Sequence, residues 1–199
     1  MKKLLVLAGL LVLAGGLASG TTDEGEQTGQ RDNSESVEKV YSIGETGPAG
    51  GLVFYDKKVF SDGWRYLEAA PPETEFKAEW GCNGDYVNGT VRTAGSGKRN
   101  TQLILERLRQ RGETGKASQL CAALNFAGRN DWFLPSLGEL DLMYRNLKVK
   151  GLGGFKNSWY WSSSQNNNYV SAWQQYFGNG SQVYHYKDSI DSVRAIRAF

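Results

Sequence analysis

The chain opens on an apolar run that is set apart from everything after it. Residues 4–17 contain only Leu, Val, Ala and Gly, they follow Lys2 and Lys3, and small residues continue to Gly20. A positive start, a short apolar core and a small-residue end are typical of a cleaved export signal, whereas a membrane span needs about 20 apolar residues. We therefore predict a signal peptide over residues 1–20 and no stable membrane insertion after cleavage.

The next segment has almost no apolar positions. Residues 21–39 are rich in Glu, Thr, Gly and Ser. Such a segment buries too little surface to offset the entropy lost on ordering, so we predict a disordered polar linker. From residue 40 to residue 199 Trp, Tyr and Phe recur throughout. A stretch of about 160 residues suits one domain with a sizeable core.

Two short runs after the linker predict strands. Residues 52–55 and 64–70 are aromatic, β-branched or alternating, and turn-forming residues separate them. This pattern predicts an antiparallel pair. Residues 44–50 have collagen-like triplet spacing, but so short a stretch cannot hold a triple helix, so its glycines and Pro48 predict a turn.

The centre of the chain shows helical periodicity. Residues 101–110 and 116–126 place apolar side chains at helical spacing, and Gly112 and Gly128 follow them as C-terminal stops. A third helix begins at a capping box, in which Ser136 and Glu139 each pair with the other's backbone N–H. Its apolar face consists of Leu137, Leu140, Tyr144 and Leu147.

Strand patterns return near the C terminus. They cover residues 159–163, 172–177, 182–186 and 193–199. Gly178, Asn179 and Gly180 predict a short hairpin connection between two of them. Early strands, central helices and a late antiparallel sheet predict an α+β fold with two to three helices, in which the C-terminal strand closes against the N-terminal one.

Charge is balanced overall but unevenly distributed. The net charge of +2 comes from 23 basic and 21 acidic residues, and it disappears when Lys2 and Lys3 are removed. Residues 21–97 hold 7 basic and 14 acidic residues, whereas residues 98–156 hold 11 and 5. The sequence thus allows a local basic face but lacks the excess positive charge of a nucleic-acid binder.

The chain has two cysteines, Cys82 and Cys121. In an exported protein a pair of cysteines suggests a disulfide, which would stabilise the fold by roughly 4 kcal/mol if it closed a loop of this length. Two buried free thiols are the alternative.

Six segments, in this order, resemble the Lcl C-terminal domain family, which is named for a collagen-like bacterial adhesin. They are IGETGPAGGLVFYD, GWRYLEAAP, DWFLPSLGELDLMYRNL, YWSSSQ, AWQQYFGNGSQ and SVRAIRAF. The resemblance covers about residues 41–199. It implies a C-type-lectin-like fold and a secreted or surface-exposed module, and the family's namesake is implicated in adhesion through sulfated polysaccharides.

The chain is also distantly similar to the formylglycine-generating sulfatase activators. The similarity lies in Leu134, Pro135 and Ser136 before an acidic helix, and in the terminal strand around residues 193–197. That enzyme family depends on a reactive cysteine pair near its C-terminal region. No cysteine follows Cys121, so the resemblance does not extend to this activity.

The residue types for catalysis or metal binding are scarce. His185 is the only histidine and lies in a predicted strand, so we expect a solvent-facing side chain rather than a catalytic base. No CxxC or HExxH spacing occurs, which argues against zinc. Asp188 and Asp191 allow weak calcium binding, although a solvated turn explains them as well. We predict no catalytic residue, no metal and no cofactor.

Residues 165–176 are the first candidate binding surface. They combine amides with aromatic rings: Asn166, Asn167, Asn168, Tyr169, Trp173, Gln174, Gln175 and Tyr176. Amides pair with adjacent sugar hydroxyls and rings stack on apolar sugar faces, which makes Tyr169, Trp173, Gln175 and Tyr176 candidate ligand-binding residues. The alternative is that the tryptophans alternate into the core and the amides form an ordinary polar loop.

A basic run is the second candidate. It comprises Lys98, Arg99, Arg107, Arg109, Arg111 and Lys116. These cations suit sulfates or carboxylates of a polyanionic glycan, although they equally suit a solvated helix face that pairs with acidic residues elsewhere. Arg194 and Arg197 lie three positions apart on a predicted strand, so they point to opposite faces and at least one is expected to pair inside the fold.

The sequence therefore predicts a non-enzymatic, extracytoplasmic binding module. Its expected partner is a glycan or polyanionic polysaccharide. An envelope structural or protein-interaction domain, whose partner is an envelope or host surface protein, is the alternative. An oxidase related to the sulfatase activators is a third and weaker possibility.

Overall fold

The computed structural model describes residues 39–199, which form an α+β fold. The helices are α1 (Gly97–Arg111), α2 (Ala117–Ala123) and α3 (Leu137–Asn146). The strands are β1 (Leu52–Ser61), β2 (Trp64–Ala69), β3 (Phe76–Ala78), β4 (Trp159–Gln165), β5 (Ser171–Tyr176), β6 (Gln182–Tyr186), β7 (Asp191–Val193) and β8 (Ile196–Ala198). The predicted signal peptide and residues 21–38 of the predicted linker lie outside the described residues.

The strands form two sheets. One has the order β1-β2-β8 and the other has the order β3-β7-β4-β5-β6. All pairings are antiparallel except that between β4 and β7. The hairpin predicted at Gly178, Asn179 and Gly180 is confirmed, because it joins the antiparallel strands β5 and β6. The α+β class is confirmed as well.

The single C-terminal strand predicted over residues 193–199 is wrong. The chain forms β7 in the five-stranded sheet, leaves it at Arg194, and enters the three-stranded sheet as β8. Arg194 is 1 % exposed and donates to the carbonyl oxygens of Ala70 and Gly153, at 3.2 and 2.9 Å. The turn of the chain is therefore fixed by a buried guanidinium, and β8 closes against β2 rather than against the first strand.

The capping box of α3 is confirmed. The Ser136 hydroxyl accepts from the Glu139 backbone N–H at 3.2 Å, and the Glu139 carboxylate accepts from the Ser136 N–H at 2.6 Å. At Gly138 a Cβ atom would lie 2.8 Å from the carbonyl oxygen of Arg92. Only glycine therefore lets α3 approach the loop that carries Arg92.

The other two helices differ from prediction at their ends. Helix α1 begins four residues before the predicted start and ends at Gly112, whose φ of 66° provides the left-handed cap. Helix α2 is shorter than predicted, because the chain after it forms an isolated bridge between Phe126 and Arg129.

The core consists of two apolar clusters. In the first, Ile104 of α1 and Cys121 of α2 pack with Trp161 of the five-stranded sheet. In the second, Leu140 of α3 packs with residues of both sheets, including Phe54. Among the described residues no helix is long and apolar enough to cross a bilayer.

Both C-terminal arginines pair inside the fold, as expected for at least one of them. Arg194 contacts Glu75 at 2.7 Å. Arg197 contacts Asp131 at 2.8 Å and Glu68 at 3.3 Å. Glu68 is fully buried, and burial raises its pKa despite the neighbouring guanidinium.

The structure contains two free thiols in place of the predicted disulfide. Cys82 and Cys121 are both buried, unbonded members of the first core cluster. Each side chain fills apolar space as a neutral thiol, and burial raises the pKa of Cys82 to about 11 and that of Cys121 further. Neither is available as a reactive thiolate at neutral pH.

Candidate functional site

The exposed aromatic side chains of the five-stranded sheet gather at its β5–β6 end. Tyr169 is 62 % exposed, Tyr184 is 57 % exposed and Tyr186 is 63 % exposed. Tyr169 lies in the loop before β5 and packs edge-on against Tyr86, with 5.9 Å between ring centroids. This group of exposed rings makes the β5–β6 end a candidate contact surface.

Trp173 forms the centre of this region. It lies in β5 directly opposite Tyr184 of β6, so the two side chains share one face of the sheet. The rings pack edge-on with their centroids 5.7 Å apart. On the loop before α1, the guanidinium of Arg92 lies 5.1 Å from the centre of the Trp173 ring. Trp173 is half-buried, which leaves part of the indole accessible.

A groove of about 270 Å³ runs beside this indole. We call it the Trp173 groove, and its lining residues are Thr90, Val91, Arg92, Gln165, Asn166, Asn167 and Trp173. The groove thus combines one aromatic face, amide groups and one cation. Arg92 is exposed and has no carboxylate partner among residues 39–199.

Local hydrogen bonds fix the loop that supplies the amides. The Asn168 side-chain oxygen accepts from the Val170 N–H, the Ser171 N–H and the Ser171 hydroxyl, at 3.1, 2.8 and 2.8 Å. The Asn166 amide donates to the Ser171 hydroxyl at 3.2 Å. Asn168 is therefore used internally, whereas Asn167 is exposed and makes no hydrogen bond to the described part of the chain.

Lys187 anchors the same loop from beneath. Its buried ammonium donates to the carbonyl oxygens of Asp85 at 2.6 Å and Tyr169 at 3.1 Å, and to the Gln165 side-chain oxygen at 2.9 Å. It also reaches the carbonyl oxygen of Cys82 at 3.3 Å. Burial lowers the pKa of Lys187 to about 8. One cation thus connects the loop before β5 to the loop that follows Trp80.

The structure separates the other residues predicted from the first candidate segment. Gln175 is fully buried and donates to the Asp141 carboxylate and to the Gly180 carbonyl oxygen, each at 3.2 Å. Tyr176 lies opposite Trp159 in β4, three positions from Trp173, and therefore on the other face of the sheet. Of the four predicted residues, Trp173 lines the groove, Tyr169 lies on the neighbouring loop, and Gln175 and Tyr176 lie elsewhere.

The predicted basic run is broken up by carboxylates. Arg109 pairs with Glu106 of the same helix at 2.7 Å. Arg111 pairs with Asp85 at 3.0 Å and also contacts Glu113. Arg107 lies 3.8 Å from Asp85, and Lys116 contacts Glu79. These pairs match the alternative in which the run is a solvated face that pairs with acidic residues.

Lys98 and Arg99 differ from the rest of the run. They are exposed at the start of α1 and line a second cavity of about 280 Å³ together with Trp64. The carboxylate of Glu139 lines this cavity and already accepts from the N–H groups of Gly95 and Gly97, at 2.9 and 3.3 Å. The positive end of the helix is therefore occupied by a residue of the chain itself.

His185 is on the surface of β6, as expected. Its Nδ1 lies 3.3 Å from the Asp191 carboxylate, and burial raises the pKa of Asp191. Asp188 instead accepts from the Asn83 amide at 2.9 Å. The two aspartates thus have separate partners. In residues 39–199 no group of three or more His, Cys, Asp or Glu side chains is placed to hold a metal ion.

Sequence reasoning missed Arg92, Tyr184 and Lys187. Arg92 stands alone in a Gly- and Thr-containing loop, so no charge cluster marked it. Tyr184 lies in a strand that the sequence predicted, but its contact with Trp173 follows only from the register of β5 against β6. The one available signal for Lys187 was its position directly after an aromatic strand.

Residues 68–197 match the family model described as the Lcl C-terminal domain. This range includes Arg92, Trp173 and Lys187. No curated protein matches the chain.

Proposed function

The chain belongs to the Lcl C-terminal domain family, a bacterial domain of extracellular type, and on this premise we propose that it binds a glycan outside the cytoplasm through the Trp173 groove. The observation that carries the proposal is the placement of an accessible indole, the unpaired Asn167 amide and a guanidinium without a carboxylate partner around one groove. The proposed role is recognition without chemical change.

Each part of the groove supplies one kind of sugar contact. The Trp173 indole offers a flat apolar surface on which a sugar ring can stack. Asn167 and Asn166 offer amide donors and acceptors that match adjacent hydroxyl groups. Asn168 and Lys187 hold the loop in place, so these groups are positioned before a ligand arrives and little ordering entropy is lost on binding.

Arg92 favours an anionic sugar. A guanidinium without a carboxylate partner binds sulfate or uronate in a bidentate manner. The arginines of α1 are already paired with Glu106, Asp85 and Glu113. We therefore place anion recognition at the Trp173 groove rather than along α1, which changes the site expected from the sequence but keeps the ligand class.

Binding to an array of sulfated, uronate-containing and neutral oligosaccharides tests the proposal. Trp173→Ala should weaken binding roughly tenfold for every bound glycan, because stacking is lost. Arg92→Ala should weaken binding to anionic glycans selectively and reduce the salt dependence of their affinity. Trp159→Ala and Arg99→Ala are the matched controls, since both residues lie outside the groove.

Two results would reject the proposal: no glycan bound by the folded wild-type protein, or affinity unchanged by Trp173→Ala.

The alternative of a protein-interaction domain rests on the exposed rings of Tyr169, Tyr184 and Tyr186, which suit a protein partner as well. Capture of one envelope or host surface protein, lost in Tyr169→Ala and combined with an empty glycan array, would favour it. For the oxidase alternative the structure offers no reactive thiolate among the described residues, because both cysteines are buried.

A further inference from the structure

Strand β6 is an edge of the five-stranded sheet, and its edge is unguarded. Within residues 39–199 it pairs with β5 on one side only, and all five of its residues are exposed. Its sequence, Gln-Val-Tyr-His-Tyr, contains no proline, lysine or acidic residue, which are the usual devices that prevent edge-to-edge pairing. Such a strand is a template for another strand.

The hydrogen-bond pattern shows which backbone groups are free. The Lys187 N–H donates to the Val170 carbonyl oxygen at 2.9 Å, and the Tyr176 N–H donates to the Ser181 carbonyl oxygen at 2.8 Å. Because hydrogen-bonded pairs alternate along an antiparallel ladder, Val183 and His185 point their backbone groups at β5. The backbone groups of Gln182, Tyr184 and Tyr186 therefore point away from the sheet.

These outward groups form a self-complementary set. Gln182 and Tyr184 each present an N–H and a carbonyl oxygen, and Tyr186 presents its N–H while its carbonyl oxygen accepts from Ser189 at 3.0 Å. When two such strands meet antiparallel about Tyr184, the Tyr184 groups pair with each other, and each Tyr186 N–H meets the Gln182 carbonyl oxygen of the other strand. The register gives about four new hydrogen bonds.

We propose that β6 pairs antiparallel with β6 of a second copy of this chain, on a two-fold axis through Tyr184. The side chains favour a second copy as the partner over an unrelated strand. When β6 lies antiparallel to its own copy, each side chain faces a compatible side chain of the other copy. Tyr184 meets Tyr184, Gln182 meets Tyr186, and Val183 meets His185, so no like charges face each other. The joined sheet continues across both copies.

The pairing is expected to be reversible. Two five-residue strands with their flanking rings bury less than the roughly 1,600 Å² of a standard interface, so the dimer forms at high local concentration rather than in dilute solution. The pairing has one consequence for ligand binding, which rests on the proposed glycan function. Trp173 shares a face with Tyr184, so both grooves open on the same side, with the two indoles three strand spacings, or about 14 Å, apart.

Charge reversal at the two-fold axis tests the pairing. Sedimentation velocity over a concentration series should show a monomer–dimer equilibrium for the wild-type protein. Tyr184→Lys and Tyr184→Glu should each weaken association roughly tenfold or more, because like charges then face each other. An equimolar mixture of the two variants should associate again. Phe60→Lys and Phe60→Glu are the matched controls, since Phe60 is equally exposed, at 60 %, on another sheet.

A backbone variant provides an independent check. Tyr186→Pro removes an outward N–H without touching the ladder to β5, and it should weaken association more than Tyr186→Ala does. Far-UV circular dichroism confirms that each variant is folded. A wild-type protein that stays monomeric at the highest concentration, or a dimer that survives Tyr184→Lys, overturns the pairing.

Glycan binding separates this inference from the proposed function. The variant for this comparison is Tyr186→Pro, because Tyr186 does not line the Trp173 groove. A monomeric Tyr186→Pro protein that still binds glycan would leave the proposed function intact. A wild-type dimer without glycan binding would leave the pairing intact and reject the proposed function.

Discussion

Replacing Arg194 with Met tests how the fold turns from one sheet into the other. The guanidinium donates to Glu75 at 2.7 Å and to the carbonyl oxygens of Ala70 and Gly153. Methionine fills similar space but leaves the Glu75 carboxylate, 5 % exposed, without its closest cation, and the two carbonyl oxygens without this donor. Removing one partner of a buried pair costs about 3–5 kcal/mol, so we expect a loss of about 4 kcal/mol in unfolding free energy.

The pH dependence of the stability loss is a second test of the Arg194–Glu75 pair. In the wild type, hydrogen bonds from Tyr160 and Arg194 outweigh burial, so the pKa of Glu75 is lowered. This carboxylate therefore stabilises the fold above its unfolded pKa, and the contribution is lost as pH falls through the folded value. Without Arg194 the pKa of Glu75 rises, so the loss caused by the substitution should shrink between pH 7 and pH 4.

Urea unfolding followed by tryptophan fluorescence measures both effects. Adding Glu75→Gln to Arg194→Met should recover part of the loss, because the buried carboxylate that lost its closest cation is then removed and only Lys156, at 3.2 Å, loses a partner. Arg109→Met is the matched control, since its partner Glu106 is on the surface and such pairs contribute about 0–1 kcal/mol. A loss below about 1 kcal/mol for Arg194→Met, unchanged at pH 4, would refute the reasoning.

Three further predictions concern single contacts. Ser136→Ala removes the α3 cap and should lower the unfolding free energy by about 1 kcal/mol. A urea midpoint equal to that of the wild type would contradict this prediction. Cys82 and Cys121 should react with a thiol reagent only after denaturation, and a denatured protein without reactive thiols would contradict the free-thiol structure. The pKa of Lys187 is about 8 in the folded protein against about 10.4 in the unfolded chain, so the folded protein binds fewer protons between these two pH values. The unfolding free energy of the wild type should therefore rise with pH across that interval, relative to that of Lys187→Met. A constant difference in urea midpoint between the two proteins would contradict this.

Local signals in the sequence predicted part of the local structure, although β1 runs six residues past its predicted end at residue 55. The capping box predicted the start of α3, because both of its hydrogen bonds lie within four residues. Alternation and turn residues predicted β2, β5 and β6 to within one residue. By contrast, the division of the C-terminal strand depends on Glu75, about 120 positions away in the chain, and local composition does not encode such a contact.

The candidate site was predictable only in part, for the same reason. Trp173 was identified from its residue type and from the amides beside it. Arg92 reaches the indole only because Gly138 lets α3 pack against its loop. The α1 arginines were equally visible in the sequence, yet their pairing with Asp85 and Glu113 depends on how the loops fold. The number of charges in a segment therefore says little about how many remain unpaired.

The groove and the sheet edge have a common structural origin. Helices α1 and α3 contact β4, and the main packing partner of β6 is β5, so the sheet is least covered at its β6 end. An uncovered end leaves rings such as Tyr184 accessible and outward backbone groups unpaired at the same place. Lys187 compensates for the missing layer by tying the loops of this end together. A ligand or a second copy would therefore complete a region that residues 39–199 leave open.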